Sequence, residues 1–279
     1  MSLTDTYNSV KRALSSAPPN DQYLRWDAAG VEVVQPDEEE KARQIGETMN
    51  KMQQHNFEQH RHAFRATHVK TQGIVKGSLH VLPDLPKHLQ QGVFNEPGKV
   101  YDVAARYANE PVFLQPDQDP GPRGLSMRVF NVNGPRLTGL DNSSTTQEFF
   151  FNNAPSIELT DIDTCLDIMQ LREKYFDSPI KLAAATNLRT DALKQSAPGM
   201  LPNTNMISHG LYSQSAFRFG DWYGHLGLFP VLVEMKSRDE KVKSGDSREV
   251  LRDWLGEYFA HHGAKYEFKV RLRYTLCAR

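Results

Sequence analysis

The stretch Arg65-Ala-Thr-His68-Val-Lys-Thr-Gln-Gly73-Ile-Val-Lys-Gly77-Ser-Leu-His-Val81 joins an arginine, a histidine three residues on, two spaced glycines and a short apolar run. Val69 to Val81 reads as a strand, with glycines where the backbone bends or another group approaches closely. A histidine beside an arginine points to proton handling next to something anionic, because imidazole titrates near neutrality. On spacing alone, however, His68 reads first as a hydrogen-bonded core histidine. The functional reading needs support from the rest of the chain.

Outward from this stretch, the pattern is one of helices at the flanks and alternating strands between them. Asp37-Glu-Glu-Glu40 opens a helix, because carboxylates favour the first turn. Ile45, Met49, Met52 and Phe57 give it one buried stripe to about His60. Residues 22–36 read as extended. Val100–Tyr107, Arg123–Phe130 and Thr146–Phe151 read as strands, with a proline-rich loop at Asp117–Gly121. Thr160-Asp-Ile-Asp163 caps a helix that Pro179 ends, and Cys165 lies on its apolar side as a core residue.

Residues 177–206 read as a long loop with a short helical piece. Leu211–Phe219 and His225–Met235 look like strands. Ser247 caps an amphipathic helix carrying Val250, Leu251, Trp254, Leu255, Tyr258 and Phe259, and Gly263 ends it. From Lys265 to Leu276 every even position is apolar and every odd one polar, which is the clearest strand pattern in the chain. Strands and helices do not alternate in the parallel manner. The class is therefore α+β, mainly antiparallel, and strands with one apolar face suit a barrel.

Composition narrows the function classes. The 279 residues are 39% hydrophobic and 24% charged, with a formal net charge of −1. That balance supplies no global basic field for nucleic acid or anionic membrane. No apolar run reaches the roughly 18 residues of a membrane-spanning helix. Residues 1–20 read as a flexible arm and 21–279 as one domain. Two cysteines, Cys165 and Cys277, make no disulfide framework, so a reduced, cytoplasmic setting is expected. His55, His60 and His62 lack the i, i+4 spacing of a helical zinc site, and Ser213 and Ser215 lack a nucleophile elbow. There is no P-loop and no dinucleotide fingerprint.

Four segments then carry a resemblance: Arg65-x-x-His68 with Lys70, Gly73 and Gly77; Arg106-Tyr107-Ala108; Asp119-Pro-Gly-Pro-Arg123-Gly-Leu-Ser-Met-Arg128-Val; and Gln147-Glu-Phe-Phe-Phe-Asn-Asn-Ala-Pro155. In order and residue type they resemble the haem catalases. Glu58-x-His60-Arg-His62, Thr67 and Tyr212-Ser-Gln-Ser-Ala-Phe-Arg218-Phe-Gly-Asp221 are more similar to a divergent branch, the catalase-related haem peroxidases distantly related to coral allene oxide synthase. The likeness runs from about residue 22 to the last strand.

The resemblance implies an antiparallel β-barrel core of the catalase type with flanking helices, and haem b as cofactor. It implies that His68 takes a proton from the inner oxygen of a hydroperoxide and returns it to the outer one. Arg65 and Arg106 match positions that pair with the haem propionates, and Thr67 matches a hydroxyl thought to temper catalase activity. Substrates would be a small-molecule hydroperoxide or another apolar molecule, and the chain would form a homo-oligomer, with no nucleic acid and no membrane span.

Three departures from the pattern stand out. Ala108 replaces a serine that supports the distal histidine. The distal asparagine motif of true catalases is absent, with Asn205 and His209 in the corresponding region. The proximal tyrosine motif Arg-x-x-x-Tyr is not found, so the iron ligand is unknown and the domain reads as C-terminally shortened. Arg271-Leu-Arg-Tyr274 has the wrong spacing, Tyr274 reads as a core residue, and Cys277 is a weak substitute. Two readings follow: a haem-dependent peroxidase-like oxidoreductase, or a shortened barrel that binds haem or an apolar ligand without turnover.

Overall fold

The computed structural model describes residues 23–134 and 144–274. Its centre is one antiparallel sheet of eight strands. These are β1 (Lys70–His80), β2 (Val100–Asn109), β3 (Arg123–Val129), β4 (Gln147–Asn152), β5 (Leu211–Tyr212), β6 (Phe217–Phe219), β7 (Trp222–Pro230) and β8 (Tyr266–Leu272). The order is β1-β2-β3-β4-β5-β7-β6, and β8 also pairs with β7.

Because successive side chains point to opposite faces, each strand sends alternate residues inward. Tyr101 and Tyr107 of β2, Leu125, Met127 and Val129 of β3, Phe151 of β4 and Leu228 of β7 are buried in one continuous core. The sheet curls until distant strands touch inside it. Phe149 of β4 meets Phe268 of β8 edge-on at 5.2 Å, and the Tyr107 and Tyr266 hydroxyls lie 3.0 Å apart. Among the described residues no ladder joins β1 to β6 or β8, so the expected barrel is a strongly curled sheet that is not closed.

Six helices flank it among the described residues: α1 (Glu38–His60), α2 (Ile162–Lys174), α3 (Pro179–Asn187), α4 (Ala192–Ser196), α5 (Val233–Lys236) and α6 (Val250–His261). α6 packs on β1, where Leu255 stands 2.8 Å from the place a Gly73 side chain would occupy. α1 and α2 form a second, smaller core around Met52, Val112, Met169 and Phe176, with Cys165 packed against it. No described helix is long and apolar enough to cross a membrane.

Several expectations need correction. Phe57 is exposed, and Asn56 is buried in its place, donating to the Val112 carbonyl at 2.7 Å. The spacing 45-49-52-56 keeps the 4-3-4 rhythm of one helical face, and 57 steps off it. Residues 23–36 form turns rather than an extended run, with a single bridge from Arg25 to Trp222. α2 ends before Pro179, which instead opens α3, a position where its missing N–H costs nothing.

The strand expected over 225–235 divides into β7 and α5, and that over 211–219 divides into β5 and β6. The 177–206 loop contains two helices. α6 begins after Glu249, and its first turn is capped by the Asp117 carboxylate, not by Ser247. Tyr274 is half-exposed and packs on Tyr23 at 4.9 Å, outside the core. Cys277 and the residue 1–20 arm lie outside the described residues.

Candidate functional site

His68 sits just ahead of β1 with a left-handed backbone, φ 52°. Two contacts fix it there: its N–H donates to the Glu110 carbonyl at 2.8 Å, and the Arg106 guanidinium donates to its own carbonyl. The ring then lies on the outer face of the sheet. A Cβ on Gly124 would stand 2.4 Å from its Cε1 and 2.7 Å from its Nδ1, so glycine at 124 is what lets the imidazole rest on β3. Ala108 faces Gly124 across the ladder, is buried, and lines the same cavity as His68, bringing a methyl and no hydroxyl to it. Among the described residues no hydrogen bond to the imidazole ring is present, so neither tautomer is locked. Burial pushes the His68 pKa below its ordinary value, Glu110 opposes this, and Arg106 and Arg65 reinforce it.

The ladder extends this seat into a shelf. Ile74, Arg106, Ser126 and Phe150 stand side by side on the outer face, paired in register across β1 to β4. Ile74 is 69% and Phe150 64% exposed, and Phe150 also lines the cavity that holds His68. Between shelf and α1 is a small cavity of about 190 Å³, lined by Met49, Thr67, His68, Arg106, Ala108, Ser126 and Phe150 among others. Thr67 therefore shares the cavity with His68, as its place in the sequence suggested.

Arg65 and Arg106 line the same cavity. Arg106 donates through Nε to Thr71 Oγ1 at 2.9 Å, and burial and then the Arg65 charge lower its pKa. Neither arginine has a carboxylate partner among the described residues. Both also line a larger, open basin of about 650 Å³ on the other side, together with His60, His62, Phe64, Leu114, Arg248 and Glu249.

Beneath the basin lies a buried polar knot. Asp117, fully buried, accepts from Lys70 Nζ (2.8 Å), Gln72 Nε2 (3.0 Å) and Asn109 Nδ2 (3.0 Å) with one oxygen, and from the Leu251 N–H (2.9 Å) with the other. A bulge at Gln72 turns that side chain into the knot. This ties β1, β2 and α6 into one wall behind the arginines. Lys70 is thus neutralised by Asp117, with Glu249 also at 3.3 Å.

The two candidates for a distal asparagine equivalent lie elsewhere. Asn205 is buried and caps a short 3-10 turn, accepting from the Ile207 N–H. His209 bonds Thr204 Oγ1 through Nε2 (2.6 Å) and Asn153 Nδ2 through Nδ1 (3.1 Å), and burial beside Arg123 brings its pKa down to about 4. Neither lines the His68 cavity. Gly124, Phe150, Arg248 and Asp117 were not singled out as site residues from sequence. Only the strand register, which places Gly124 opposite Ala108, would have pointed to one of them.

No protein-family model matches the chain, and no curated protein matches it. Solved structures do. A fungal catalase superposes over 93% of this chain with a TM-score of 0.56 at 11% identity. Catalase A from Saccharomyces cerevisiae superposes over 90% (TM-score 0.51, 11% identity), and a bacterial catalase over 91% (0.50, 13%). The chain has the catalase fold. It spans about half the length of these catalases, 51%, 50% and 48% respectively.

On that fold, the donor set can be tested against a haem. The shelf offers exposed Ile74 and Phe150 with Arg106 and Ser126 between them, two guanidiniums without acid partners among the described residues, and a histidine whose pKa is lowered, a set compatible with one face and the carboxylate edge of the macrocycle. The 190 Å³ cavity is smaller than the roughly 300–1,000 Å³ of sites that enclose small molecules, so the group would lie along the open shelf. Apart from His68, no tyrosine, cysteine or histidine lines that cavity, and among the described residues no cluster of metal ligands is present. The residues present would suit one side of such a group, and among the described residues no metal-ligand cluster stands ready for its iron.

Proposed function

We propose that the chain provides the distal half of a haem site in a catalase-related oxidoreductase that acts on a peroxide or organic hydroperoxide. The observation that carries this is the placement of His68 on Gly124 beside two arginines that have no acid partner among the described residues. Arg65 and Arg106 would hold the carboxylates of haem b, and Ile74 and Phe150 its flat face. The bound group would supply the electrons that break the O–O bond.

The chain's own part is proton handling. With its pKa lowered by burial, His68 is neutral at pH 7 and ready to accept a proton. Gly124 seats the Cε1–Nδ1 side of the ring, so Nε2 is the nitrogen farther from the sheet and the one that takes the proton from the inner peroxide oxygen. The same nitrogen returns it to the outer oxygen as the bond breaks. Ala108 leaves the ring free of a fixing hydroxyl, which favours peroxidase or organic-hydroperoxide chemistry over dismutation. That balance, with Thr67 beside His68, supports a place near the divergent catalase-related peroxidases.

A second reading is a catalase-type scaffold that binds haem or an apolar ligand without turnover. It is favoured by the sequence, in which the Arg-x-x-x-Tyr motif of a proximal ligand is not found. Peroxide consumption by haemin-loaded protein separates the two. The first reading expects turnover that falls at least 100-fold in His68→Gln with the haem retained. Equal rates in both proteins would refute it.

A further inference from the structure

We propose that the basin flanked by the end of α1 and the start of α6 binds a small organic carboxylate with an apolar or aromatic body. Its acid group would be held by Arg248, with Arg65 and Arg106 completing the cationic wall. This goes beyond the haem reading, because Arg248 lines the basin and not the His68 cavity.

Charge is the first ground. Arg65, Arg106 and Arg248 all line the basin, and none forms an ion pair among the described residues. The remaining cation, Lys70, is already bonded to Asp117 and Glu249. Glu249 is the basin's one acidic lining residue, and it is also within 3.5 Å of Arg252. Three guanidiniums in one concavity repel one another; the Arg106 pKa is lowered first by burial and then by the Arg65 charge. An anion relieves the repulsion, and a guanidinium grips a carboxylate through two parallel hydrogen bonds.

Size and lining set the ligand class. About 650 Å³ is far more than a simple ion needs and lies within the range of small-molecule sites. Phe64, Leu114 and Val69 supply apolar wall. His60 and His62 meet the Phe64 ring edge-on, at 5.7 and 4.8 Å, and form an aromatic rim. An acid head with an aromatic or aliphatic body fits this mixture, whereas inorganic phosphate would leave the apolar wall unused.

The test uses the full chain without haem, with 2-naphthoate and its neutral counterpart 2-naphthalenemethanol as probes, followed by calorimetry. Naphthoate is expected to bind at least tenfold more tightly than the alcohol and to weaken as salt rises. Arg248→Gln is expected to weaken naphthoate at least tenfold while leaving the alcohol unchanged. Arg248 is exposed, so the variant should fold, and its circular dichroism and Tm confirm that. Equal binding of the two probes, or naphthoate binding indifferent to Arg248→Gln, overturns the inference. A parallel haemin titration separates it from the haem reading: Arg248→Gln is expected to leave haemin binding unchanged. If haemin fails to bind but naphthoate binds through Arg248, the haem reading falls and the carboxylate site stands. If Arg248→Gln weakens both equally, the basin holds only the acid edge of haem and the inference falls.

Discussion

Gly124→Ala should unseat His68. The added Cβ would lie 2.4 Å from Cε1 and 2.7 Å from Nδ1 of the imidazole, and 3.2 Å from the Phe151 carbonyl oxygen. Comfortable carbon contacts are about 3.5–4.0 Å, so the overlap with the ring is about 1 Å. The Phe151 oxygen belongs to β4 backbone and cannot give, so the ring must turn away. The cavity of about 190 Å³ beside it offers room. Overpacking of this kind costs about 1–3 kcal/mol, and the room available places the cost toward the lower end. For a domain of this size, about 2–4 °C of Tm accompanies each kcal/mol.

The sharper readout is the histidine itself. Burial depresses the His68 pKa, so a ring pushed off the sheet should titrate closer to the ordinary value of about 6.5. Heteronuclear NMR of the histidine side chains, with His68→Gln to assign the signal, follows this directly. An unchanged His68 titration together with an unchanged Tm would refute the seat at Gly124.

Other outcomes follow from the same geometry. Asp117→Ala strips an acceptor from Lys70, Gln72, Asn109 and the start of α6, and breaking such a buried pair costs about 3–5 kcal/mol; urea unfolding measures it, and a loss under about 1 kcal/mol would contradict the role given to the knot. His209 has a folded pKa of about 4, below its unfolded value of about 6.5, so the stability it contributes is complete above pH 6.5 and is lost as pH falls toward 4. Between pH 7 and 5 that loss is roughly 2 kcal/mol, and His209→Gln should flatten the profile in denaturant melts at the two pH values. Ala108→Ser places a hydroxyl beneath His68; it should fix one tautomer, visible in the ring nitrogen shifts, and raise peroxide turnover in the haem-loaded protein.

Much of the fold could be read because alternation and helical spacing are local signals. β3 and β8 show a period of two, and α1 and α6 each show an apolar stripe. Where the reading slipped, a tertiary or capping effect decided the outcome. Asn56 took a core position because the Val112 carbonyl was there to accept its amide. Pro179 started a helix rather than stopping one, since proline suits both places. Closure of the barrel depends on pairing between strands far apart in sequence, which no periodicity reports.

The site was legible in a similar, partial way. His68, Arg65 and Arg106 were found from order and resemblance, and the structure brings them to one place. Gly124 and Phe150 belong to strands 50 or more residues away in the chain, and only register sets them beside His68. Arg248 enters through the loop before α6, whose position depends on Asp117 capping the helix. Tyr274 looked internal by parity, but it lies beyond the last ladder pair of β8, where parity no longer fixes a face.

A haemin titration of the purified chain, followed in the Soret band, tests whether His68, Arg65 and Arg106 form one side of a haem site. Saturation is expected at one haemin per chain, with affinity falling at least tenfold in both Arg65→Gln and Arg106→Gln and the band position shifting in His68→Gln. Non-saturating uptake, or spectra and affinity identical across these variants, would contradict it.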